Sequence, residues 1–386
     1  MNAYVKRDLY LNRLIVRRDN GQIKAVTGPR RSGKSFLLDP IYKDYLLSKG
    51  IPEDNIIIIS FDIEDEDTPQ ELLDREKLKE YLYSRIASQT ENYYVFLDEI
   101  QEVDGFERIV NGLNKRQNVD VYVTGSNSKF LSSEINTIFR GRSDEVSVLP
   151  FTFREFCQDR QESVNDLWKE YYTYGGLPAL RKMPTAEQKT TYIQKLWKKT
   201  YLDDVVERHN VENREALEAI ADALCSSIGS LTNTTRITNT LGSVRKIKIT
   251  DDTVAKYIGY LEEAFLFNEA RRYNIKGNKY YENIKKYYSI DVGLRNARLN
   301  YRQLEQTHLM ENIIFNELLY RGYVVDVGVV EHRKMVDGKS EYKQYEVDFI
   351  ATDGNEKYYI QSAYEIETEE KREQELNSLK RIDDSF

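Results

Sequence analysis

Short apolar runs alternate with longer mixed stretches over the first 150 residues. Ile23–Thr27, Asn55–Phe61, Tyr93–Leu97 and Val119–Thr124 are short, largely apolar runs, as in strands covered on both faces. Helical patterns lie between them, over Ser35–Lys49, Thr68–Thr90 and Glu107–Arg116, and a short helix is expected at Ser128–Ser133. This alternation predicts parallel strands joined by crossover helices, an α/β core over residues 1–160.

The rhythm changes further on. Residues 161–215 read as a helical lid or linker, with a Gly175-Gly176-Leu177-Pro178 turn and a helix over Ala186–Asp203. In 216–300, helices are expected at Ala216–Ser227 and Thr234–Leu241. Another is capped by Thr250, with Val254, Tyr257, Ile258 and Leu261 on one face. A hairpin of Phe265–Tyr273 and Lys279–Ile290 follows, turning at Lys276-Gly277-Asn278. Helices followed by a hairpin predict a winged-helix-like module. The remainder, 301–386, runs helix (His308–Arg321), strand (Tyr323–Val330), strand (Tyr342–Ala351), turn, strand (Lys357–Tyr364) and a charged final helix.

The first turn after Ile23–Thr27 carries the chemistry. Gly28-Pro29-Arg30-Arg31-Ser32-Gly33-Lys34-Ser35 has the spacing G-x-x-x-x-G-K-S, after a strand and before a helix. Glycine at the two ends lets backbone N–H groups turn toward a phosphate. Lys34 reaches the β- and γ-phosphates, and Ser35 offers its hydroxyl to Mg²⁺ at a helix N-terminus. The strand Tyr93–Leu97 ends in Asp98-Glu99, at the carboxyl edge where open α/β sheets bind ligands. Asp98 is the expected Mg²⁺ ligand, directly or through water, and Glu99 the residue that polarises the attacking water. After Val119–Thr124, Asn127 or Ser126 is placed to contact the γ-phosphate or the water. One arginine is expected to neutralise developing charge, Arg142 first and Arg140 second.

Composition narrows the rest. The chain has 386 residues and a net charge of −8, which opposes broad adhesion to nucleic acid or anionic membrane. Only two cysteines occur, Cys157 and Cys225, without metal spacing. The three histidines, His209, His308 and His332, are far apart. A signal peptide and a long apolar stretch are both missing from the sequence, so the cytoplasm is expected. A local basic patch is still available. Lys256, Arg271, Arg272, Lys276, Lys279, Lys285 and Lys286 suggest DNA as a partner through the 265–290 hairpin.

Ile23–Phe156 resembles one prokaryotic family of AAA-type ATPases related to STAND NTPases, which carry a C-terminal domain of unassigned function. The resemblance rests on the early Arg30-Arg31, Phe96-Leu97-Asp98-Glu99-Ile100-Gln101, Thr124-Gly125-Ser126-Asn127, Gly141-Arg142 and Leu149-Pro150-Phe151 through Glu155-Phe156. It implies an AAA-like sheet, ATP as nucleotide and a homo-oligomer or protein partner. The order of elements after residue 300 resembles the PD-(D/E)xK nuclease fold. Glu311 and Asp348 fit its first two acidic places, but Gln361-Ser362-Ala363 stands where E-x-K is needed. An amide is a poor substitute for a carboxylate at a divalent cation. The fold without cleavage is therefore the expectation. Three functions follow: an ATP-hydrolysing enzyme, a nucleotide-gated interaction module with little turnover, or an ATP-regulated nuclease.

Overall fold

A computed structural model of the chain describes residues 4–62, 69–125, 139, 141–336, 339–354 and 356–382. The chain divides into two compact units, Met1–Phe151 and Thr152–Phe386.

The first unit is built on five strands: β1 (Ile23–Thr27), β2 (Ile56–Ser60), β3 (Tyr93–Asp98), β4 (Val119–Thr124) and β5 (Ser143–Ser147). Their order is β2-β3-β4-β1-β5, every pairing parallel. Apolar residues sit on both faces, as the largely apolar runs require. Ile23, Ala25, Val95, Leu97, Val121 and Val123 share one core with Phe106, Ile109 and Val110 from the helix Phe106–Leu113. On the same strands, Lys24 and Asp120 form a buried ion pair between β1 and β4. The Tyr122 hydroxyl donates to the Asp120 carboxylate at 2.7 Å, so the pair is not left bare.

The helix expected over Ser35–Lys49 is interrupted. It begins at Lys34–Phe36 and resumes as Lys43–Ser48, with Asp39 between them in an extended conformation (φ −131°, ψ 113°). Pro40 explains the break, because proline disfavours helical geometry in the residue before it. The Thr68–Thr90 expectation shrinks to a 3₁₀ turn at Gln70–Leu73 and a helix at Arg75–Arg85, which Asp74 caps through the N–H groups of Glu76 and Lys77.

In the second unit, helices at Arg214–Ser226, Thr234–Thr240 and Asp251–Glu263 precede β6 (Phe267–Asn274) and β7 (Lys279–Ser289). Three further strands, β8 (Val324–Val336), β9 (Lys339–Asp353) and β10 (Glu356–Ile360), complete a sheet of order β10-β9-β8-β6-β7. The hairpin is therefore not a free wing. β6 pairs in parallel with β8, Arg272 opposite Val327 and Asn274 opposite Val329, so one sheet spans the boundary expected at residue 300. The helix Gln306–Arg321 lays Phe315 and Leu318 on this sheet against Tyr288, Val327 and Phe349.

Candidate functional site

β1, β3 and β4 end side by side, and their carboxyl ends deliver the polar residues of the first unit. The loop leaving β1 turns sharply at Gly28, whose φ is 130°. A Cβ there would stand 2.2 Å from the Val148 carbonyl oxygen, so only glycine fits. Gly33 (φ 93°) makes the second turn and opens the helix at Lys34. Between them run Pro29, Arg30, Arg31 and Ser32. The buried Lys34 ammonium donates to the carbonyls of Gly28 (3.1 Å) and Pro29 (3.0 Å). Burial pulls its pKa down, while the Glu99 and Asp98 carboxylates oppose that pull. The Ser32 hydroxyl is buried without a hydrogen-bond partner.

Ser35 faces Asp98 directly: its Oγ donates to Asp98 Oδ1 at 2.9 Å. Thr124, the last residue of β4, donates from its own hydroxyl to the same oxygen at 2.5 Å. The Thr124 hydroxyl also accepts from the Glu99 backbone N–H at 3.0 Å. One threonine thus joins the two carboxylate residues. Burial raises the Asp98 pKa and the neighbouring Glu99 adds to it, against the hydrogen bonds from Thr124 and Ser35. Glu99 sits in the left-handed region (φ 51°), and Gln101 Nε2 donates to its Oε2 at 2.5 Å.

A third support comes from the N-terminal side. Arg7, buried, donates to the Ser32 carbonyl at 3.0 Å and to the Leu149 carbonyl at 2.7 Å. It ties the phosphate loop to the segment after β5.

The structure thus brings together Gly28 through Ser35, Asp98 and Glu99. It does not bring Arg142 to them. Arg142 precedes β5, and its carbonyl accepts from the Ile23 N–H, at the amino end of β1. The phosphate loop leaves the opposite end, a strand's length away and beyond the reach of an arginine side chain. Ser126, Asn127 and Arg140 lie outside the described residues. Sequence places Thr124 and Gln101 only within matching segments, with no role of their own, and gives no sign of Arg7. Thr124 carried a signal, as the last polar residue of an apolar strand, but its role depends on β4 lying beside β3. Arg7 acts across the fold and left no local trace.

The basic hairpin differs from its expectation. Lys286 is buried and paired with Glu311 and Glu346, and Lys285 is held by Glu269 at 2.5 Å. Arg272 is buried as well. Of the residues expected to meet DNA there, Lys276, Lys279 and Arg271 stay exposed, with Arg271 stacked 3.8 Å over the Tyr280 ring. β10 ends at Ile360, ahead of Gln361, and the Gln361 amide is engaged structurally. Its oxygen accepts from the Asp348 N–H at 3.4 Å, and its nitrogen donates to Glu375 at 3.3 Å. Among the described residues no helix is long and apolar enough to cross a membrane.

A glycine-bounded loop after β1 and paired acidic residues at the end of β3, over a parallel sheet, agree with the family match of this part of the chain. Residues 20–157 match the AAA domain family, and residues 165–305 match a domain of unknown function, DUF8612. An uncharacterized protein of Haemophilus influenzae is 34% identical over 389 residues, covering 100% of this chain and 92% of that protein. The chain belongs to the same family as that protein. The uncharacterized protein MJ1544 of Methanocaldococcus jannaschii is 29% identical over 366 residues, covering 91% of this chain and 77% of its own length. Among solved structures, the Aeropyrum pernix ORC1 protein in complex with DNA aligns at 14% identity and a TM-score of 0.31. The alignment covers 78% of this chain and 94% of that one.

Proposed function

We propose that the protein binds Mg²⁺-ATP at the Gly28–Ser35 loop and hydrolyses it to ADP and phosphate. The observation that carries this reading is the junction of Ser35, Asp98 and Thr124 beside Lys34. Two oxygen donors suited to a hard divalent cation lie 2.9 Å apart, next to a buried ammonium and an unpartnered Ser32 hydroxyl. These residues fit the ion: Ser35 and Asp98 would hold Mg²⁺, which when bound neutralises charge on the phosphate oxygens.

Chain residues do the rest. Lys34 exchanges the carbonyls of Gly28 and Pro29 for phosphate oxygens. Backbone N–H groups of the loop hold the β-phosphate. Glu99 orients a water toward the γ-phosphorus. As the water oxygen bonds to phosphorus, the bond to the bridging oxygen of ADP breaks, and the water's proton passes by way of the carboxylate to the released phosphate. Arg142 stands too far from its own loop for this work, so we assign it to the phosphate of a neighbouring copy in a homo-oligomer. The second unit then serves as the element that reads nucleotide state toward a macromolecular partner.

Nucleotide binding is tested by thermal unfolding with and without Mg²⁺-ATP. Saturation at 100 times Kd stabilises a protein by about 2.7 kcal/mol. Wild type should show such a rise and Lys34→Ala should not. Equal shifts in both proteins would place the nucleotide elsewhere.

A further inference from the structure

The resemblance of the C-terminal strands to a nuclease fold implies a divalent cation among Glu311, Asp348 and a third carboxylate. The residues present do not fit one. Glu311 projects from the helix Gln306–Arg321, and Glu346 and Asp348 come from β9. Between Glu311 and Glu346 enters Lys286 of β7. Its Nζ lies 2.9 Å from Glu311 Oε1 and 2.7 Å from Glu346 Oε1, and its side chain is only 4% exposed. The Tyr288 hydroxyl donates to the same Glu311 oxygen at 2.7 Å. Asp348 Oδ2 is taken by the Ser362 N–H at 2.7 Å. Gly229 closes one side, where a Cβ would come within 3.1 Å of Glu311 Oε1. Among the described residues no group of three acidic, histidine or cysteine side chains is arranged to hold a metal.

We propose that Lys286 is a built-in cation: its ammonium takes the place among Glu311, Glu346 and Asp348 that a divalent metal would need. It closes the site to metal and ties the hairpin to the helix and to β9. A buried carboxylate must meet a cation or a proton, and removing one partner leaves the other uncompensated. Lys286 faces two carboxylates, so it stays charged although burial opposes this. The cation is thus supplied from a strand that precedes both Glu311 and Glu346 in the chain, where sequence order hides it.

Mn²⁺ binding to the full chain at pH 8, followed by electron paramagnetic resonance, tests this. All proteins carry Asp98→Asn to remove the phosphate-loop ligand. With Lys286 present, Asp348→Asn should leave the Mn²⁺ stoichiometry unchanged. Lys286→Met should gain about one equivalent, and adding Asp348→Asn should abolish that gain, because the freed carboxylates then need a cation. An equivalent of Mn²⁺ bound by the Lys286 protein and lost on Asp348→Asn would overturn the proposal. So would a folded Lys286→Met protein that takes up none. If Lys286→Met fails to fold, Lys286→Arg keeps the charge and should fold without Mn²⁺ uptake. The comparison with Lys286 present decides the metal question in either case.

Discussion

Gln101 donates from its side-chain amide to Glu99 Oε2 at 2.5 Å, two residues along the same turn. The contact restrains a carboxylate whose backbone already sits in the left-handed region. Under the proposed hydrolysis, Gln101 is a positioning residue for Glu99. Misplacing a reacting group by about 1 Å costs up to about a hundredfold in rate. Gln101→Leu should therefore lower kcat for ATP hydrolysis by up to that factor while leaving KM for ATP unchanged. A change confined to KM would show that Gln101 acts on binding.

Thr124 has no slack. It is fully buried, donates to Asp98 and accepts from the Glu99 N–H. Thr124→Val keeps the shape and removes both bonds. A buried N–H left without an acceptor costs about 1–3 kcal/mol. Urea unfolding should show a loss of that order, with weaker Mg²⁺-ATP binding beside it. Wild-type stability and affinity would mean that another acceptor reaches Glu99.

Arg7 predicts an effect at a distance. Its guanidinium bonds to the Ser32 and Leu149 carbonyls. Hydrogen bonds from a charged group contribute about 1.5–3 kcal/mol. Arg7→Ala should loosen the phosphate loop and weaken ATP binding roughly tenfold or more in calorimetry, the affinity equivalent of the lower figure. Unchanged affinity would leave Arg7 as a packing residue only.

Stability should depend on pH in the second unit. Burial and the nearby Glu311 charge push Asp348 up to about 7. Burial, with Glu269 adding to it, pushes Glu262 to about 7 as well. Both groups hold a proton in the native protein that the unfolded chain releases near pH 4. That contribution is complete below about pH 4 and disappears as pH rises through 7. Hydrogen exchange of β7 and β9 should therefore show less protection at pH 8 than at pH 5.5, after correction for intrinsic exchange. The double variant Asp348→Asn, Glu262→Gln should flatten the difference. An unchanged pH dependence in the double variant would assign it to other groups.

Much of the first unit is legible because its signals are local. A run such as Tyr93–Leu97 is apolar at every position because the strand is covered on both faces, and Asp98 marks where cover ends. The phosphate loop is legible because its glycines are demanded by backbone geometry, as the Val148 carbonyl beside Gly28 shows. What is not legible depends on pairing across the sheet. Thr124 matters because β4 lies beside β3, and Arg142 is remote because β5 runs parallel to β1. Lys286 reads as one more surface lysine in a basic hairpin. Its burial follows from β6 pairing with β8, more than fifty residues away in the chain, and from the helix Gln306–Arg321 packing over that sheet.

The proposed hydrolysis of ATP by Lys34, Asp98 and Glu99 is measured most directly by phosphate release. Purified wild-type protein should release phosphate from ATP continuously, only with Mg²⁺ present. Lys34→Ala should abolish the release. Glu99→Gln should retain ATP binding and reduce turnover by about 10²–10⁴-fold, the contribution expected of a group that handles the water's proton. Phosphate release equal in wild type, Lys34→Ala and Glu99→Gln, or none from wild type at concentrations that allow an oligomer to form, would contradict it.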